Sequence, residues 1–310
     1  MKDWIWRSAV YHPIEHCTEV LPLMGDKVAI VETPRDAFQG LPKFIPTDEK
    51  IRFIQSLVDA GFKHIDLGSF VSPKAVPQMA DSEKVVRAFG GLSSIERIAI
   101  VVNEQGMDRA FSVGGLDAIG FPFSFSAQFQ MQNTKTTPKQ TWPLVEKMIS
   151  KIEQHDMSFV LYLSMAFGNP YGEEWKEEEL FALIRSLCAM GVRHISLADT
   201  VALAKPEQVR KIFQRAMAEQ PKIEFSAHFH GRPDSWFDCI QAALEAGCRR
   251  FDGAVGGLGG CPFAQDTMIA NIPSDQLAKK LSSLGYAINV DLKKVAACAT
   301  LAQEFKNTYG

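Results

Sequence analysis

Short runs of β-branched and aromatic residues alternate along this chain with longer stretches whose apolar residues recur at helical spacing. The first run, Lys-Val-Ala-Ile-Val-Glu at 27–32, has the continuous apolar character of a buried strand. Pro46-Thr47-Asp48-Glu49 then opens a helix with a hydroxyl cap and acids in its first turn. Ile51, Ile54, Leu57 and Val58 repeat along that helix, and Gly61 ends it. The same two-beat unit recurs, with strand-like segments at 64–68, 97–102, 117–121, 159–163, 194–197, 223–227 and 250–254. Helical patterns at 141–154, 173–190, 206–218 and 235–246 lie among them, and the acidic run 173–179 reads as a solvated first turn favoured by the helix dipole. Eight such units in roughly 230 residues is the arithmetic of a (β/α)8 TIM barrel, an α/β fold, with extra helices at the C-terminal end. A doubly wound open sheet would normally carry a Gly-rich phosphate turn after its first strand. Here that turn reads Thr33-Pro34-Arg35-Asp36, which favours the barrel. Residues 1–24 do not fit the repeat and read as an N-terminal extension, Met24 being an alternative start; residues 25–310 read as one catalytic barrel domain.

Composition narrows the partners. Apolar residues at 46% and charged residues at 22% exclude wholesale disorder. A net charge of −3 gives no global field for nucleic acid, so a polyanionic ligand must be held by a local cluster. No apolar run approaches the ~18–20 residues of a membrane helix. The first residues carry Asp3, Glu15 and Glu19 and do not look like a signal or transit peptide. Six cysteines without a Cys-x-x-Cys pair, in a chain long enough to bury a full core, suggest a reduced, cytoplasmic protein.

In a barrel of this kind the chemistry gathers at the C-terminal ends of the strands. Those positions hold Arg35 and Asp36, Asp66 and Ser69, Asp199 and Thr200, His228 and His230, then Cys261 and Asn271. In Ala227-His228-Phe229-His230 the strand period of two turns both imidazoles to the same side. Alone, the pair is more often two ordinary rim histidines. With Asp36 and Asn271 available nearby, a metal set of two nitrogens and two oxygens becomes the better reading, Mg²⁺ or Mn²⁺ first, Co²⁺ or Zn²⁺ remaining open. Residues 253–260 hold five glycines, a segment expected to be mobile or closely approached by ligand. No Gly-Lys-Ser/Thr follows, as a phosphate cradle would require; Cys261-Pro262 does, making Cys261 a candidate for acid–base or thiol chemistry.

Five segments carry a family resemblance. Val31-Glu-Thr-Pro-Arg-Asp-Ala-Phe-Gln39, Gly68-Ser-Phe-Val-Ser-Pro-Lys-Ala-Val-Pro-Gln-Met79, Ile195-Ser-Leu-Ala-Asp-Thr200, His228-Phe-His230 and Gly257-Leu-Gly-Gly-Cys-Pro-Phe-Ala264 resemble hydroxymethylglutaryl-CoA lyase, in the right order across 27–305. The resemblance implies a metal-dependent barrel enzyme that cleaves 3-hydroxy-3-methylglutaryl-CoA to acetyl-CoA and acetoacetate. It implies Asp36, His228, His230 and Asn271 as metal ligands, with Arg35 on the enolate oxygen. Cys261 and His228 would take part in proton transfer, supported by Asp199 and Asp66. Arg35, Gln39, Ser69, Ser196 and Asn133 would contact an acyl-CoA substrate, and a homodimer is compatible with the family. Departures from the pattern are Thr33 and Ala37 around Pro-Arg-Asp, Asp66 in place of a glutamate, Met165 and Asn169 where a familiar lyase has cysteines, and one extra residue between Cys261 and Asn271. A Claisen-type synthase or aldolase of the same superfamily is one alternative, and a non-catalytic metal-binding barrel is another.

Overall fold

All eight strand-like runs form strands, each parallel to its neighbours, in a computed structural model that describes residues 26–260 and 269–310. In chain order these are β1 (Ala29–Glu32), α1 (Pro34–Gln39), α2 (Thr47–Ala60), β2 (His64–Ser69), α3 (Ser82–Phe89), β3 (Glu96–Ile100), α4 (Glu104–Val113) and β4 (Ala118–Ser124). They continue with α5 (Ala127–Thr134), α6 (Pro138–Glu153), β5 (Ser158–Ser164), α7 (Glu177–Met190), β6 (His194–Asp199), α8 (Pro206–Glu219), β7 (Glu224–Gly231), α9 (Trp236–Glu245) and β8 (Arg250–Gly253). A two-residue strand, β9 (Ala270–Asn271), and the helices α10 (Ser274–Ser283) and α11 (Leu292–Tyr309) complete the described chain. Hydrogen bonding runs β1 through β8 and closes through β8–β1 and β6–β7, which makes a barrel. The anticipated extension 1–24 and Cys261 lie outside the described residues.

The helices form because each can lay an apolar face on the sheet. In α2, Phe53, Ile54, Leu57 and Ala60 are buried at helical spacing. That helix stops at Gly61, whose φ of 101° is left-handed and whose amide turns back to Leu57 and Val58. A Cβ there would sit 2.5 Å from the Asn289 carbonyl, so the turn is closed to other residues.

Inside the barrel the strands present two unlike walls. Val31, Ile98, Ile100, Ala118, Val160 and Tyr162 form an apolar cluster separate from the main core between sheet and helices. Asp66, Ser196, Ser226, His228 and Asp252 make the other wall polar, all of them buried. The floor is an ion network: Glu96 accepts from Arg250 at 2.6 Å and pairs with His64 at 2.6 Å. Burial would raise the Glu96 carboxyl, but those partners hold it down at about 2. Burial beside Arg250 pushes the neighbouring His194 down to about 3.

Two expectations from sequence need correction and one needs extending. The helix expected over 173–190 begins at Glu177, because Asn169 folds the preceding residues into a side-chain turn, accepting the amides of Tyr171 and Glu173. Glu173 instead receives the Ser126 hydroxyl and the Gln128 amide, tying this loop to the start of α5. Strand seven runs past the 223–227 apolar run to Gly231, carrying both histidines as their strand spacing implies, since β6 pairs as far as Phe229 and β9 with His230 and Gly231. The described part of the Gly-rich segment is packed rather than open. Its glycines lie against α1, α11 and the chain around β9.

Candidate active site

Pro34 occupies the first turn of α1, where its missing N–H costs nothing. The Thr33 hydroxyl donates to the Gly253 carbonyl at 2.9 Å and ties that turn to β8. Arg35 and Asp36 are thereby placed at the C-terminal mouth of the barrel. Arg35 bridges two carboxylates: Nε and Nη2 reach Asp66 Oδ2 at 2.8 and 2.7 Å, and Nη1 donates to Asp36 Oδ1 at 2.6 Å. Gln39, one turn further along α1, is 3.4 Å from the same Nη1. Asp66 therefore reaches the guanidinium despite its short side chain, and its Oδ1 remains buried without a hydrogen-bond partner.

His228 and His230 lie on β7 with ring centroids 5.3 Å apart. Nδ1 of His228 is 2.9 Å from Asp252 Oδ2 on β8. A carboxylate can only accept, so this contact places the proton on Nδ1 and leaves Nε2 as the lone-pair nitrogen. His230 has both ring nitrogens buried without a hydrogen-bond partner among the described residues. Its Nε2 lies 3.7 Å from Asp36 Oδ2, too long for a hydrogen bond but suited to two ligands meeting on one cation. One donor atom each from Asp36, His228 and His230 lies within 4.8 Å of the other two. An orphaned imidazole facing a carboxylate and a second oriented imidazole is a donor set that fits a divalent ion. Asn271 stands opposite His230 in the β7–β9 register and donates Nδ2 to the Leu258 carbonyl at 2.9 Å.

Electrostatics separate the two carboxylates. Burial alone would raise Asp36, but Arg35, His230 and His228 hold it below its usual range, ready to bind a cation. Burial dominates at Asp66 and pushes it up to about 6 against the pull of Arg35. Burial, then His228, push His230 down to about 4, keeping it neutral. Burial opposes the charge of His228, yet its bond to Asp252 raises it overall.

A cavity of about 340 Å³ opens from this cluster and is also lined by Gln39, Ser69, Asn133, Tyr162 and Thr200. Ser196 sits opposite Tyr162 in the β5–β6 register, fully buried, with an unpartnered hydroxyl. Asp199 is placed differently. Its carboxylate accepts the amides of Val201, Leu203 and Ala204 at 3.3, 3.2 and 2.6 Å, folding the β6–α8 loop around itself. Two residues of the site escaped sequence reasoning. Asp252 is one; its only signal is the inward period Arg250, Asp252 along β8. The other is Tyr162, which stands edge-on to His228 at 5.6 Å and 82°; within an apolar strand run it reads as core.

The pattern of the HMGL-like family matches residues 27–302. The chain belongs to that family. The cytoplasmic 3-hydroxy-3-methylglutaryl-CoA lyase of Rattus norvegicus is 30% identical over 299 residues, 95% of this chain and 87% of the relative. Among solved structures, an HMG-CoA lyase from Bacillus subtilis superposes with a TM-score of 0.86 at 28% identity, over 92% of this chain and 95% of that one. An HMG-CoA lyase from Acinetobacter baumannii, in complex with coenzyme A and 3-methylmalate, superposes at 0.82 with 29% identity, over 93% and 96%. Among the described residues of this HMGL-like protein, no helix is long and apolar enough to cross a membrane.

Proposed function

We propose that this HMGL-like protein is a divalent-metal-dependent carbon–carbon lyase. Its substrate is 3-hydroxy-3-methylglutaryl-CoA or a close 3-hydroxyacyl-CoA analogue, and its products are acetyl-CoA and acetoacetate. The observation that carries this reading is the meeting of Asp36, His228 and His230 beside an arginine clamped between two carboxylates. The relatives' activity and the coenzyme A held by the Acinetobacter protein support it.

In the retro-Claisen step the bond between the carbinol carbon and the thioester α-carbon breaks. Its electron pair passes into the thioester enolate, while the hydroxyl loses a proton and becomes the ketone. Asp36, His228, His230 and Asn271 would hold the metal, Mg²⁺ or Mn²⁺ being favoured by the oxygen ligands. When bound, such a metal supplies Lewis acidity that acidifies the substrate hydroxyl and fixes its geometry. Arg35 donates to the enolate oxygen, and Asp36 and Asp66 pin its guanidinium so that little reorganisation is needed. Nδ1 of His228 faces Asp252, so His228 serves chiefly as a ligand and proton traffic falls to other groups. Asp66, with a free oxygen and a raised pKa, is suited to accept the hydroxyl proton. Cys261, outside the described residues, is the family's candidate to protonate the enolate carbon. Gln39, Ser69, Ser196 and Asn133 would contact the acyl group, and Asp199 shapes the loop that borders it.

The test is acetoacetate release from 3-hydroxy-3-methylglutaryl-CoA by the purified full chain, with Mg²⁺, with Mn²⁺ and with chelator. Metal-dependent release is expected, and Cys261→Ser should lose at least ~100-fold in kcat while retaining metal, consistent with removal of an acid–base group. A protein that binds metal but releases no acetoacetate overturns the assignment.

A further inference from the structure

Glu32 follows Val31 on β1 and so faces away from the barrel interior, where it is fully buried. Its Oε1 accepts the Val255 amide at 2.8 Å, and its Oε2 is hydrogen-bonded to the Ser274 hydroxyl at the start of α10. Asp275, the next residue of α10, accepts the Gly256 amide at 2.9 Å. Two consecutive amides leaving β8 are thus held by two buried carboxyl groups from different elements. These amides need such partners, because they open the single 3₁₀ turn Val255–Gly257, whose first N–H groups find no acceptor within the turn, and the backbone then leaves through left-handed φ at Gly256 (69°), Gly257 (61°) and Gly259 (81°).

Just downstream, the same segment touches two proposed metal ligands. The Leu258 carbonyl receives Asn271 Nδ2 at 2.9 Å. Gly259 lies so close to α1 that a Cβ would fall 2.7 Å from the Ala37 Cα and 2.9 Å from the Asp36 carbonyl oxygen. The backbone of 255–260 therefore links the Glu32–Asp275 clamp to Asn271 and Asp36, two of the proposed metal ligands.

We infer that Glu32 and Asp275 are positioning residues for the metal centre: by fixing the amides of Val255 and Gly256 they set the Leu258 carbonyl against Asn271 and the Gly259 backbone against Asp36. The inference rests on the reading of Asp36, His228, His230 and Asn271 as the metal ligands. Burial pushes the Glu32 carboxyl up to about 8, so at neutral pH it acts through hydrogen-bond geometry rather than charge. A glutamine can reproduce that geometry, its oxygen accepting from Val255 and its nitrogen facing a Ser274 hydroxyl that turns to accept.

The experiment is titration of Mn²⁺ into the metal-free full chain, followed by electron paramagnetic resonance, with circular dichroism and thermal melting in parallel. Glu32→Gln should bind Mn²⁺ within about threefold of wild type. Glu32→Ala and Asp275→Ala should each bind ~10–100-fold more weakly, the range for residues that orient metal ligands, while keeping native secondary structure. Should Glu32→Ala fail to fold, Asp275→Ala and Ser274→Ala carry the comparison. Folded alanine variants with wild-type affinity overturn the inference, and so does a glutamine variant that loses as much as alanine. A wild-type chain that takes up no Mn²⁺ overturns the metal reading and this role with it. The expected ranking in a protein that cleaves no acyl-CoA supports the positioning role and overturns only the substrate assignment.

Discussion

Arg35 lies between two carboxylates of different character, and the difference defines its task. Asp36 is held ionised by three cationic or polar neighbours, whereas Asp66 is buried deeply enough to take up a proton near neutrality. Neutralising Arg35 should therefore damage catalysis more than metal binding. Arg35→Met is expected to lower kcat by ~100-fold or more, the cost of losing an oxyanion donor. Mn²⁺ affinity should change only a few-fold, and an equal loss of both would make Arg35 a support for Asp36. Asp252 has the opposite profile, since among the described residues its side-chain hydrogen bond into the site is to His228 Nδ1. Asp252→Ala should weaken metal binding ~10–100-fold by freeing the ring and its tautomer, which metal titration would show. Unchanged affinity would mean that packing against Tyr162 alone orients the imidazole. Arg35, Asp36, His228 and His230 were legible in sequence because each stands next to a recognisable strand end. Asp252 was not, because its meaning depends on which residue faces it from the neighbouring strand.

At the scale of elements, β7, β9 and the Gly-rich segment behave as one unit. The sequence suggests a loose loop, since five of the eight residues 253–260 are glycines with no side chains to pack. The tertiary structure uses them for close approach instead, which is the other physical reason for glycine. Gly259→Ala tests this directly. Its φ of 81° and the 2.7 Å approach to α1 make alanine both strained and obstructed. The expected result is a stability loss of about 1–3 kcal/mol, seen in urea melts, together with weaker Mn²⁺ binding as α1 is displaced. A variant with wild-type stability and affinity would show that α1 and this segment move independently. The β6–α8 loop is a similar case. Asp199 reads as a strand-end functional residue, yet its carboxylate is committed to three backbone amides.

For the whole molecule, the barrel separates its chemistry by wall and by end: an apolar wall, a polar wall, an ion-paired floor and a cationic–carboxylate mouth. Buried titratable groups couple this architecture to pH. Glu32 is one such group, raised from an ordinary 4.5 to about 8 by burial. Between those two values the folded chain keeps a proton that the unfolded chain has released. Stability is therefore fully present below about 4.5, falls as pH rises, and levels off above about 8. The slope is at most ~1.4 kcal/mol per pH unit for one such group. Glu32→Gln should remove this component, so its urea-melt stability should gain on wild type from ~pH 5.5 upward and stop gaining above about 8. Parallel curves for the two proteins would show that Glu32 is already ionised in the folded state.

Hydropathy period and capping residues made the eight alternating β/α units readable from sequence, because both are local: a strand repeats every two residues, a helix every 3.6, and neither needs a distant partner to be recognised. The same locality placed the histidine pair on β7 and the arginine–aspartate pair after β1. What the tertiary structure decided is every relation across the barrel: His228 to Asp252, Asn271 to His230, Glu32 to the amides after β8, and Asp199 to its own loop. These depend on which strands become neighbours and in what register. Closure of the barrel sets that register, through contacts between residues up to more than two hundred positions apart along the chain.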